Sequence, residues 1–162
     1  MNKVLHFTLP SETAINKNIK RILLVEDNPD ELELIQLAFN ELGIPHEVYV
    51  IEDGQQAVDY LFGAGEFGGP KQPYNPDIAF LDLKLPKLSG FEVLKMMREN
   101  PHTMHVPVVI FTSSSMQVDI LAAYELGVNS LITKPINANE FMACVKAAGT
   151  YWLQWNHPPP DN

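Results

Sequence analysis

Five positions in this 162-residue chain carry side chains that could do chemistry together. They are the adjacent carboxylates Glu26 and Asp27, the carboxylate of Asp82, the hydroxyl of Thr112 and the ammonium of Lys134. Each site follows directly on a short apolar run. Arg21-Ile22-Leu23-Leu24-Val25 precedes Glu26, and Ile78-Ala79-Phe80-Leu81 precedes Asp82. Val106 to Phe111 precedes Thr112, and Leu131-Ile132-Thr133 precedes Lys134. Runs of this length read as strands buried on both faces, so the reactive groups stand at strand ends. Three carboxylates within a few ångströms must raise a pKa or recruit a cation. A hard divalent ion such as Mg²⁺ suits an all-oxygen donor set. One carboxylate oxygen then remains free to attack an electrophile. Phosphorus is the natural choice, because phosphoryl oxygens need the cationic and hydrogen-bonding partners that Lys134 and Thr112 supply. Carboxylates that form aspartyl phosphates are an established class of nucleophile.

The elements that must position these groups alternate along the chain. Residues 1–19 show no clear period and read as an N-terminal extension. From Lys20 onward, strand-like runs and helix-period segments take turns, and a fifth run at Glu47 to Ile51 completes the set. Pro29 and the acidic residues around it signal a helix start, and the stripe Leu32, Ile35, Phe39 and Leu42 runs to a stop at Gly43. Asp53-Gly54 opens a second helix, with Ala57, Val58, Leu61 and Phe62 inward. A Gly- and Pro-rich loop is expected over 63–76. Pro86 and Gly90 lead into a helix with Phe91, Leu94 and Met97. Three serines after Thr112 precede a helix around Val118, Leu121, Ala122 and Leu126, closed by Gly127. Asn137 and Glu140 resemble a capping box for a last helix, which carries Phe141, Val145, Ala148 and Trp152 on one face. The body therefore spans 20–155, and 156–162 is a proline-rich tail. Such alternation argues for an open parallel sheet covered by helices on both faces, and in such sheets function collects at the carboxyl ends of the strands.

Composition narrows the partners. A net charge of −9 argues against direct binding to nucleic acid or an anionic membrane, since both require a basic footprint. The single cysteine excludes an internal disulfide framework and a cysteine-cluster zinc site. No apolar run approaches the roughly 20 residues that span a bilayer, so a cytoplasmic setting is the default expectation. Gly63-Ala64-Gly65-Glu66-Phe67-Gly68 satisfies the dinucleotide-binding pattern, but that pattern has meaning only between a strand and a helix. Here it follows a helix, so flexible loop is the better reading. His102 and His105 lack a third ligand and read as solvated. Cys144 reads as a packed or surface thiol. Tyr151, Trp152 and Trp155 either pack over the core or form an exposed apolar interface, and the interface is the favoured reading.

Taken together, Glu26-Asp27, Asp82 within Phe80-Leu81-Asp82-Leu83-Lys84-Leu85-Pro86, Gly90, Thr112 and Lys134-Pro135 resemble the receiver domain of two-component response regulators over roughly residues 20–148. The resemblance implies a flavodoxin-like (βα)5 three-layer sandwich, α/β in class, with a five-stranded parallel sheet in order 2-1-3-4-5. It implies Asp82 as phosphoacceptor, with Mg²⁺ held by Asp27, Asp82, Glu26 acting largely through water, and the backbone carbonyl of Lys84. Thr112 and Lys134 would contact the phosphoryl oxygens, and the bond to Pro135 would be cis. Such a domain is not an enzyme in the usual sense; it catalyses only its own phosphoryl transfer and dephosphorylation.

A narrower likeness rests on the long loop before the third strand, on Asp82 to Lys87, and on Tyr151-Trp152-Leu153 with Pro158-Pro159. It is similar to the single-domain regulators that partner bacterial phytochromes. It implies a phytochrome-type histidine kinase as phosphodonor and a homodimer through the face of the fourth helix, fifth strand and fifth helix, together with the C-terminal aromatics. One departure stands out: Leu131 occupies the place where the family usually has Tyr or Phe. That aromatic normally reports phosphorylation, so the switch is either lost, leaving a non-switching adaptor, or runs through the loop after the fourth strand and the dimer face. Two further rivals are a Mg²⁺-dependent phosphatase with an aspartyl nucleophile and a flavin carrier. The phosphatase is disfavoured because Lys84 stands where such enzymes place a second Asp.

Overall fold

The structure is a computed structural model that describes residues 4–5, 19–68 and 75–159. Its strands are β1 (Val4–Leu5), β2 (Lys20–Val25), β3 (His46–Ile51), β4 (Ile78–Leu81), β5 (Val108–Thr112) and β6 (Ser130–Thr133). Its helices are α1 (Pro29–Asn40), α2 (Gly54–Phe62), α3 (Gly90–Glu99), α4 (Gln117–Glu125) and α5 (Ala138–Thr150). The sheet runs β1-β3-β2-β4-β5-β6, and β2 to β6 are mutually parallel. Counted from Lys20, those five strands have the expected order 2-1-3-4-5. The addition is β1, where Val4 and Leu5 pair antiparallel with Tyr49 and Val48. A two-residue strand has no period to detect. It forms because the outer edge of β3 offers unpaired backbone groups.

Alternate residues of each strand feed opposite faces of the sheet. Leu23, Val25, Ala79, Leu81, Val108 and Ile110 pack with α2, α3 and α4. Ile22, Leu24, Ile78, Phe80, Val109 and Phe111 pack with α1 and α5. The central strands β2, β4 and β5 are apolar over Ile22 to Val25, Ile78 to Leu81 and Val108 to Phe111, where both faces are covered.

Caps fix most helix starts. Asn28 caps α1 and accepts from the Asp30 and Glu31 N–H groups, Asp53 caps α2, and Asn137 caps α5. The box at α3, Ser89 with Glu92, is complete in both directions, whereas the α5 cap is Asn137 alone. Helix α5 runs on into one wide turn, Tyr151–Trp155, in which the Asn156 N–H donates to the Tyr151 carbonyl at 2.8 Å. This i→i+5 turn shifts the face by a residue. Leu153 is therefore buried, Trp152 is half-buried against the core, and Tyr151 and Trp155 are exposed. Residues 156–159 carry no regular structure. Most of the N-terminal extension, part of the 63–76 loop and the last three residues lie outside the described residues.

Candidate functional site

Register brings the strand ends together. Val25 pairs with both Ile51 and Leu81, so the next residues, Glu26 and Asp82, leave the sheet side by side. The ladder continues past the strands: the Glu26 N–H donates to the Ile51 carbonyl (3.0 Å) and the Asp82 N–H to the Val25 carbonyl (3.1 Å). At the other edge the Lys134 N–H donates to the Thr112 carbonyl at 2.7 Å. Glu26, Asp82 and Thr112 are buried, while Asp27 is exposed. One oxygen from each of Glu26, Asp27 and Asp82 lies within 4.8 Å of the others. Three hard carboxylate donors at that separation fit a divalent cation.

Lys134 supplies positive charge to the same cluster. Its buried ammonium donates to Glu26 Oε2 (2.7 Å), to Asp82 Oδ2 (2.9 Å) and to the Glu31 carboxylate. It also stands 5.9 Å from the centre of the Phe111 ring. The remaining oxygens are committed locally. Asp82 Oδ1 accepts from the Lys84 N–H at 3.3 Å, and Glu26 Oε1 from the Asn28 N–H at 3.0 Å. Burial pushes the Glu26 carboxyl up to about 7, against the lowering pull of Lys134 and Asn28. Burial alone would depress the Lys134 pKa, but its bonds to Glu26 and Glu31 and the Asp82 charge raise it. The ammonium is therefore charged at any physiological pH.

The loop that leaves Asp82 is stapled from two directions. A Cβ on Gly90 would lie 2.1 Å from the Asp82 carbonyl oxygen, and one on Gly54 would lie 1.9 Å from that of Leu88. Only glycine allows either approach. Lys87, at φ 66°, donates from its ammonium to Asp53 Oδ2 (2.7 Å), which ties this loop to the start of α2.

The sequence matches the response regulator receiver domain family over residues 22–146. The chain belongs to that family. Response regulator Rcp1 of Synechocystis sp. is 36% identical over 135 residues, which cover 83% of this chain and 90% of that protein. The crystal structure of the phosphorylated cyanobacterial phytochrome response regulator RcpA is 38% identical, with a TM-score of 0.81 over 88% of this chain and 99% of that one. The Mn²⁺-bound form of Rcp1 is 35% identical, with a TM-score of 0.81 over 87% and 99% of the two chains.

The receiver fold thus assembles Glu26, Asp27, Asp82 and Lys134 in one cluster. Thr112 stands at the adjoining strand end, where its hydroxyl accepts from the Ser114 N–H at 3.2 Å. The Lys134–Pro135 bond is trans, which corrects the expected cis isomer. Proline narrows the gap between the isomers to about 0.5–1 kcal/mol in favour of trans, and here the trans form already delivers the Lys134 ammonium to the cluster. Leu131 is half-buried against the α2–α3–α4 side of the core. The glycine pattern at 63–68 follows α2, with Gly63 as its C-cap, so no strand precedes it. His102 and His105 are exposed, and neither belongs to a metal-competent cluster among the described residues.

Two further groups join the site without a distinctive local signal. By type and place Glu31 is one of the acidic residues at the start of α1, suited to the helix dipole. Its signal was its spacing, one helical turn beyond Asp27. Ser114 looked like loop, yet it is buried: its N–H bonds Thr112, and its hydroxyl donates to the Asp119 carboxylate in the first turn of α4.

Among the described residues no helix is long and apolar enough to cross a membrane.

Proposed function

We propose that the protein is a phosphoryl-accepting switch in two-component signalling, with Asp82 as the acceptor and the phosphohistidine of a histidine kinase as donor. The observation that carries this is the cluster itself: Glu26, Asp27 and Asp82 oxygens within 4.8 Å, and the Lys134 ammonium bonded to Asp82 Oδ2. A bound Mg²⁺ would neutralise charge on the transferred group. Glu26, Asp27, Asp82 and the Lys84 carbonyl would hold it. An Asp82 oxygen attacks phosphorus, a P–O bond forms, and the P–N bond of the phosphohistidine breaks, its electron pair returning to the imidazole nitrogen. Lys134 and the Thr112 hydroxyl receive the phosphoryl oxygens. Chemistry by the domain ends with its own phosphorylation and the hydrolysis that resets it. Lys84, exposed two residues after Asp82, offers no carboxyl for phosphatase turnover. A cytoplasmic setting accompanies this reading.

Likeness to Rcp1 and RcpA supports a phytochrome-type kinase as the donor. A homodimer through α4, β6 and α5 is supported by Val118, Leu121 and Tyr124 on α4, Ile136 after β6, and Tyr151 and Trp155 beyond α5, all exposed. Truncation after Gly149 should then lower the sedimentation coefficient of the phosphorylated form; an unchanged coefficient removes the aromatic end from the interface.

The acceptor is tested with acetyl phosphate and Mg²⁺. Wild type should take up one acid-labile phosphoryl group, and Asp82→Asn should take up none while remaining folded. Equal labelling of the two proteins would remove Asp82 from its role.

A further inference from the structure

Lys134 holds one carboxylate more than phosphoryl transfer to Asp82 requires, and that carboxylate is Glu31. We infer that Glu31 is a positioning residue: it draws the Lys134 ammonium toward α1 and so lowers its competition with a divalent cation for Glu26 and Asp82. The inference rests on the reading of Asp82 as an acceptor beside such an ion.

An ammonium has three N–H donors, and Lys134 spends them on Glu26, Asp82 and Glu31. Two of those partners, Glu26 and Asp82, also belong to the cluster that fits a cation. Ion and ammonium therefore compete for the same oxygens. Glu31 lies outside that cluster and is the partner a bound ion leaves to Lys134. Its position is built into the chain. Asn28 and Pro29 fix the start of α1, which sets Glu31 in the first turn with its side chain 27% exposed at the rim. The Lys134 side chain is 5% exposed, so its pairing is screened far less than a surface pair. The plain alternative is that Glu31 only complements the positive end of α1. Asp30 separates the two accounts. It sits in the same turn with the same charge, but it is exposed and does not bond Lys134.

The test is calorimetric titration with Mn²⁺ at constant ionic strength. The proteins compared are wild type, Glu31→Gln, Asp30→Asn, Lys134→Met and the Glu31→Gln/Lys134→Met pair, each checked for folding by circular dichroism. Glu31→Gln should weaken Mn²⁺ binding by roughly three- to tenfold, the range expected for a coupled ionic network. Asp30→Asn should change it much less. In the Lys134→Met background the Glu31→Gln effect should vanish. An unchanged affinity in Glu31→Gln overturns the inference, as does an equal loss in Asp30→Asn or an equal loss without Lys134. If the Lys134→Met proteins do not fold, the contrast between Glu31→Gln and Asp30→Asn decides by itself. A wild-type protein with no measurable Mn²⁺ affinity overturns the Asp82 reading beneath the inference; intact wild-type binding with an indifferent Glu31→Gln overturns the inference alone.

Discussion

Helix α1 starts at Asn28, whose side chain accepts two backbone N–H groups, and it buries Ile35, Ala38 and Phe39. Helix α4 starts at Met116 without a side-chain cap and buries only Ala123. Both follow strands whose ends carry the residues of the site, α1 after Glu26 and Asp27 and α4 after Thr112. Phe39 meets Phe80 edge-on at 5.1 Å, and Glu31 reaches into the pocket to Lys134. By contrast, Met116, Val118, Leu121 and Tyr124 of the α4 segment are exposed. What ties α4 to the pocket is the chain Thr112–Ser114–Asp119. The difference assigns roles. The α1 side holds Glu31 against Lys134 from a capped helix with a buried face, whereas α4 buries one side chain and meets Thr112 only through Ser114 and Asp119.

The largest test of this contrast is core truncation. Phe39→Ala should cost about 3–5 kcal/mol of unfolding free energy, whereas Leu121→Ala should stay within about 0.5 kcal/mol. Urea titrations measure both, and comparable losses would break the contrast. Next comes pH. Because the folded Glu26 carboxyl titrates up at about 7 rather than at 4.5, the folded state holds that proton more tightly than the unfolded chain. Stability without divalent ions should therefore fall as pH rises from 4.5 toward 7. Glu26→Gln should flatten that slope, and an equally steep profile would remove Glu26 as its source. Helix starts give a smaller effect: Asn28→Ala should cost about 1 kcal/mol, and Met116→Ala should cost little, as α4 has no side-chain cap to lose. The smallest effect is dynamic. With beryllium fluoride and Mg²⁺, amide exchange should change in α4 and remain constant in α1; a uniform change across both helices would deny α4 its separate role.

The strand ends were legible in the sequence because each apolar run stops abruptly at a charged or hydroxyl residue, and parallel register aligns those stops. Glu26, Asp27, Asp82, Thr112 and Lys134 could be named for that reason. What one chain's local pattern does not encode is which long-range partner a group selects. Glu31 is an ordinary first-turn acid until Lys134, 103 residues away, arrives just past the end of β6. Val4–Leu5 is a strand only because β3 has a free edge. The helix around Val118, Leu121, Ala122 and Leu126 is readable from the sequence, but local pattern cannot say whether anything covers it, and Val118 and Leu121 are exposed. The last helix looked regular, and the wide turn at Tyr151–Trp155 is a backbone choice that moved Leu153 inward.

If Asp82 is the acceptor, the phosphoryl group resides on its carboxylate as an acyl phosphate. An acyl phosphate is reduced by borohydride to an alcohol, which turns a phosphorylated aspartate into homoserine. After treatment with acetyl phosphate and Mg²⁺, borohydride reduction and peptide mass mapping should place homoserine at position 82, and chelation of the metal should prevent it. Homoserine at Asp27 or at another carboxylate, or none anywhere in a protein that carries base-labile phosphate, would remove Asp82 as the acceptor.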